Sequence, residues 1–209
     1  MKYLIFLRLL ILSLLTVSLS QCLPYQSAMS PLVGGKHYLA GYRPQDGLPV
    51  SEGIPKYQPK GYWDGDGVPG AAKIRINRSE QKAYFYKDDV LVGMSPISSG
   101  SDKHITPAGT FRITEKNIDH ESSIYGIIKN KITGEIVNKD ADFRIHKPGP
   151  NEIAVHAPMP NFMRFNYGIG MHTGFLPGYA ASHGCVRMPE EMASKFFEHA
   201  KLGTPVIVE

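Results

Sequence analysis

Cysteine is scarce in this chain: Cys22 and Cys185 are the only two among 209 residues. That excludes a disulfide-dense small scaffold and any zinc site built from four thiolates. An excess of one charge is lacking too. The formal net charge is +4, and with Lys2 and Arg8 set aside as part of a leader, about 21 basic residues face 19 acidic ones. Nothing in that balance points to nucleic acid as a partner. A run of about 20 apolar residues, the length a membrane-spanning helix needs, is absent, and no internal repeat is visible. Hydrophobic residues at 42% and charged residues at 20% are still those of a globular chain. The length suits one domain of ordinary size with an appendage.

The appendage is N-terminal. Met1-Lys2 is followed, after Arg8, by an uncharged stretch over residues 9–19 rich in Leu, Ile and Val. About eleven apolar residues behind a short positive region is the pattern of an export signal, so residues 1–21 are expected to be a signal peptide and not part of the fold. Two processing routes are open. Leu19-Ser20-Gln21-Cys22 resembles a lipobox, in which Cys22 becomes the lipidated first residue, although Gln21 replaces the usual small residue. Ordinary cleavage after Ser20 is the other. Cysteine arithmetic favours lipidation, since it leaves Cys185 as the only free thiol.

Residues 22–72 read as an arm or linker. Pro31, Gly34-Gly35, Pro44, Pro49, Pro55, Pro59 and Pro69-Gly70 punctuate it and prevent a helix or a central strand. Tyr38, Tyr42, Tyr57, Tyr62 and Trp63 suggest that it lies over a surface, anchored by its rings. Residues 73–209 read as the folded domain, mostly β. Strands are expected at 73–77, 82–87, 90–94, 109–114, 125–129, 135–138, 153–156 and 205–209, with Asp88-Asp89 as a hairpin turn. One helix is expected over residues 189–202, with Pro189 in its first position, Glu190 and Glu191 at its positive end and Gly203 as its stop.

The chemistry is concentrated between His172 and Arg187, in Gly170-Met171-His172-Thr173-Gly174 and Ser182-His183-Gly184-Cys185-Val186-Arg187. A lone cysteine is by default a small core residue. A core strand, however, has no use for Ser-His-Gly before it and Arg after it. A thiol near its usual pKa of ~8.5 needs an imidazole to take its proton, and His172 and His183 are both at hand. Gly184 lets backbone N–H groups converge on a substrate, as an oxyanion hole requires. Zinc held by His172, His183 and Cys185, with His156, is an alternative use of the same residues, and a Cys22–Cys185 disulfide is another.

The box from Ser182 to Arg187, with His172 upstream, resembles the signature of the bacterial L,D-transpeptidases, the YkuD-like catalytic domain. Further landmarks agree in order. Thr106-Pro107-Ala108-Gly109-Thr110-Phe111 resembles an upstream segment, Ser79-Glu80-Gln81 before Tyr84 resembles the opening hairpin, and Ser98-Ser99-Gly100 a shared loop. The resemblance implies a β-sandwich or barrel-like fold with few helices, no cofactor and no metal. It also implies a cysteine enzyme acting on peptidoglycan stem peptides in the periplasm or cell envelope. Cys185 would be acylated by a tetrapeptide stem and would pass the acyl group to an amine. Hydrolysis of the same thioester, or wall binding without catalysis, are the alternatives. His172 maps onto the base, the Thr173 carbonyl onto the group that orients it, and the Gly184 and Cys185 N–H groups onto the oxyanion hole. Ser182 and His183 shape the site, and Arg187 either contacts a stem carboxylate or forms a structural ion pair. The membrane would be a partner only through lipidated Cys22.

Overall fold

The computed structural model describes residues 60–209. The expected signal peptide over residues 1–21 and residues 22–59 of the expected arm, Cys22 among them, lie outside the described residues. The first described element is a two-residue strand, β1 (Tyr62–Trp63), which pairs with Gly93 and Met94. The chain has therefore joined the sheet ten residues before the expected domain start. Trp63 explains why. Its ring lies edge-on to Phe85 at 5.2 Å, near Phe196 at 6.0 Å, and over His199 at 4.7 Å. An edge strand suits a segment this rich in Pro and Gly.

Alternation builds the first hairpins. In β2 (Ala72–Asn77) Ile74 and Ile76 point inward, and in β3 (Lys82–Lys87) Ala83 and Phe85 do the same. Lys87 pairs with Val90, so Asp88-Asp89 is a two-residue turn into β4 (Val90–Pro96), with Asp88 at a φ of 52°. The last strand, β13 (Pro205–Val208), enters between β2, to which it is parallel, and β5 (Gly109–Arg112), to which it is antiparallel. The first sheet thus runs β1-β4-β3-β2-β13-β5.

A second sheet carries β6 (Glu115–Asn117), β10 (Phe162–Asn166), β11 (Ile169–Thr173) and β12 (Val186–Met188), in the order β12-β11-β10-β6. The residues of β10 are mostly apolar and buried on both faces, and β12 is only three residues long and wholly buried. Neither shows the alternation by which a half-exposed strand is recognised. Between the sheets lies the main core, including Phe85, Met163, Met171, Val186 and Phe196. The third sheet, β7 (Glu121–Asn130), β8 (Ile136–Asp142) and β9 (Glu152–Pro158), is an excursion between β6 and β10.

The helix, α1 (Glu190–His199), is shorter than expected. Pro189 is its cap, with ψ 146°, and not its first turn; Ala200 is already extended. Lys116 Nζ donates to the Ala200 carbonyl at 2.6 Å, closing the helix there, so Gly203 at φ 85° belongs to the turn into β13. No described helix is long and apolar enough to cross a membrane.

Candidate active site

Strands β11 and β12 bring the chemistry together. They run parallel, with Met171 beside Val186, His172 beside Arg187 and Thr173 beside Met188. Side chains alternate along a strand, so His172 and Arg187 lie on one face of the pair, and Cys185, two residues before Arg187, follows the bend at residues 183–185 onto it. Gly184 takes a φ of 110°, a left-handed value that strains residues with a Cβ, and so turns the chain just before Cys185. His172 and Cys185 both line a cavity of about 120 Å³.

A hydrogen-bonded cradle holds the box. Ser98 exchanges backbone hydrogen bonds with Arg187 at 3.0 Å, and Ser101 N–H donates to the Ser182 carbonyl at 3.0 Å. The Thr106 hydroxyl receives the Gly100 N–H at 2.9 Å and donates to the Gly184 carbonyl at 2.8 Å. Within the box, Gly184 N–H donates to Ser182 Oγ at 3.1 Å, and that hydroxyl donates to the Cys185 carbonyl. The Gly184 N–H, expected at the oxyanion, is engaged inside the turn in this structure. Ser182 is the residue that closes the turn.

His172 is 1% exposed, and its Nδ1 lies 2.8 Å from the Thr173 carbonyl. A carbonyl can only accept, so Nδ1 carries the proton and the lone pair is on Nε2. Burial drives its pKa down to about 4 against the Thr173 hydrogen bond, so the ring is neutral near pH 7. Burial also pushes the Cys185 thiol up, opposed by a hydrogen bond from the Gly170 backbone and by the charges of Arg187 and Arg164. The thiol lies 3.8 Å from the Gly168 carbonyl.

His183 lines the same cleft but is held by rings. Burial and the neighbouring His104 lower its pKa to about 4, and its ring stacks on His104 at 4.2 Å and near Tyr125 at 4.6 Å. Its Nδ1 is buried without a hydrogen-bond partner among the described residues. Arg187 is 1% exposed, and its Nη2 donates to the Ala181 carbonyl at 3.3 Å. Burial lowers its pKa to about 10. Among the described residues no group of three His, Cys, Asp or Glu is arranged to hold a metal ion. His156 instead lies 2.6 Å from the Ser122 carbonyl and packs on Phe143.

Four further residues belong to the cleft that the sequence reading passed over: His120, Tyr125 and Arg164 line it, and His104 backs His183. Arg164 had a legible signal, a single cation inside the apolar run Phe162-Met163-Arg164-Phe165. Tyr125 had none, because the third sheet carries it there from a distant part of the chain.

A mostly β domain with a cysteine and a buried, carbonyl-oriented histidine in one cleft defines a class of fold and site. Residues 71–208 match the YkuD family, described as the L,D-transpeptidase catalytic domain, and the chain belongs to it. An L,D-transpeptidase from Mycobacterium smegmatis is similar at 18% identity and TM-score 0.50, over 67% of this chain and 59% of that one. A mutant Enterococcus faecium L,D-transpeptidase is similar at 23% identity and TM-score 0.49, over 68% of this chain and 50% of that one. The chain thus spans between half and three-fifths of the length of these two structures. No curated protein matches the chain.

Proposed function

We propose that this protein is a cysteine L,D-transpeptidase of cell-wall peptidoglycan. The observation that carries the reading is the pairing of one thiol with one fixed imidazole tautomer in a single cleft of a YkuD domain. Cys185 Sγ attacks the carbonyl at the L-centre of meso-diaminopimelate in a tetrapeptide stem. His172 Nε2 takes the thiol proton as the S–C bond forms and returns it to the departing amine, so that D-alanine leaves as a neutral amine or its ammonium form. An acceptor amine then attacks the thioester. The C–N bond forms, the C–S bond breaks, and the thiol is regenerated.

The Thr173 carbonyl holds His172 in the reactive tautomer and favours its imidazolium during transfer. Burial lowers the pKa of the imidazole and raises that of the thiol, which favours proton transfer to His172 in step with attack over a stored thiolate. The Cys185 N–H is assigned to the oxyanion, since the Gly184 N–H serves the turn. Arg187 is assigned to positioning: it ties Ala181 to the strand that directly follows Cys185. Export through residues 1–21, an arm from residue 22 into the domain, and lipidation of Cys22 complete the proposal and place the enzyme in the cell envelope. Incubation with disaccharide-tetrapeptide should release D-alanine and give a dimer joined 3→3. Tripeptide alone, even with excess acceptor amine, would make the protein a hydrolase.

A further inference from the structure

We propose that Arg164 binds a free carboxylate of the donor stem beside the thiol, an inference that rests on the transpeptidase reading above. Arg164 lies on β10, opposite Glu115 on β6 and Gly170 on β11. Its guanidinium is held on two sides. Nε donates to Glu115 Oε2 at 2.7 Å, and Nη1 donates to the Tyr167 carbonyl at 2.7 Å. The plane lies over the Phe162 ring at 5.1 Å. Nη2 makes no hydrogen bond among the described residues, although the side chain is 26% exposed and lines the cleft. A guanidinium fixed at two of its nitrogens, with the third left over, is already ordered for an anion and loses little entropy on binding one.

The position suits the reaction. The turn Asn166-Tyr167-Gly168 links the two groups: the Tyr167 carbonyl accepts from Arg164, and the next carbonyl, of Gly168, lies 3.8 Å from Cys185 Sγ. Adjacent peptides are spaced by about 3.8 Å, so guanidinium and sulfur lie on the order of 10 Å apart or less. A carboxylate on the departing D-alanine, or on the side chain of the diaminopimelate, falls within that reach of a carbonyl under attack. No Asp or Glu lines the cleft itself; the nearest carboxylate, Glu115, is engaged at Nε, which leaves Nη2 as the edge an anion can reach. Arg187, the other cation there, is 1% exposed and already bonded to the Ala181 carbonyl, whereas Arg164 is open to the cleft.

The test uses three tetrapeptide donors: the native one, one amidated at the terminal carboxyl, and one amidated at the diaminopimelate side-chain carboxyl. Acylation kcat and KM are measured for the full chain and for Arg164→Gln and Arg164→Lys. A charge-assisted hydrogen bond of this kind is worth roughly 10- to 100-fold. Arg164→Gln should lower kcat/KM for the native donor by about that factor, mainly through KM, while leaving one amidated donor unchanged; that donor names the carboxylate. Arg164→Lys should recover part of the loss, since it restores the charge without the fork. Equal losses with all three donors would assign Arg164 to holding β6 and β10 together and overturn the proposal alone. No acylation of the unmodified chain by any donor would overturn the transpeptidase reading itself.

Discussion

His172 and His183 both have pKa values near 4, from burial first, yet they differ in partners. His172 is oriented by a carbonyl; His183 is stacked between rings with its Nδ1 unsatisfied. His172→Ala should therefore slow acylation by roughly 10²–10⁴-fold, the usual worth of a general base. His183→Ala should cost less in kcat at equal fold content, and the reverse order would exchange their roles. Burial of His172 has a second consequence. Unfolded, it takes a proton at 6.5; folded, it does so at about 4, so between those values the unfolded state binds more protons. Its contribution is complete above about pH 6.5 and is lost as pH falls towards 4, a loss of roughly 3 kcal/mol. Urea unfolding at pH 7 and pH 4.5 should show His172→Gln losing less stability on acidification than the unmodified chain, by roughly 2 kcal/mol.

At the scale of elements, the site depends on a loop that donates no chemistry. A Cβ added at Gly100 would meet the His104 carbonyl oxygen at 2.0 Å and the Thr106 nitrogen at 2.7 Å. These are backbone atoms and have nowhere to go. Gly100→Ala should cost about 1–3 kcal/mol and alter the rate of Cys185 alkylation, because the displaced loop carries the bridge to Ser182. Chemical denaturation and thiol labelling together check it. Much of this architecture was legible in the chain. The strand over Lys82–Lys87 was read end to end, whereas Ser98-Ser99-Gly100 and Thr106 were legible only as landmarks of a resemblance and not as the cradle they form. Buried β10 and three-residue β12 carry no such period, and β1 hides in a Pro/Gly-rich segment where only Trp63 betrays it. The hydrogen bond from the Gly184 N–H to Ser182 was not legible, because sequence gives a glycine's freedom, not the partner its N–H finds. Trp63→Ala should lower stability by roughly 3 kcal/mol, the lower end for a large aromatic, since the ring is only partly buried.

For the whole molecule, the proposal is an exported enzyme whose catalytic domain is carried on an N-terminal arm. If Cys22 is the lipidated residue, Cys22→Ser should move the protein from the membrane to the soluble fraction without changing its rate in solution. Mass spectrometry of the mature N-terminus checks this; an unmodified N-terminus at Gln21 in the soluble fraction of the unmodified chain would remove the anchor. The most direct measurement of the central claim is the intact mass of the protein after brief exposure to a tetrapeptide donor without acceptor, followed by peptide mapping. The account predicts a gain equal to the donor less D-alanine, located on Cys185, cleared by an added amine, and absent from a folded Cys185→Ala variant. An adduct elsewhere, or turnover of the donor by Cys185→Ala, would contradict it.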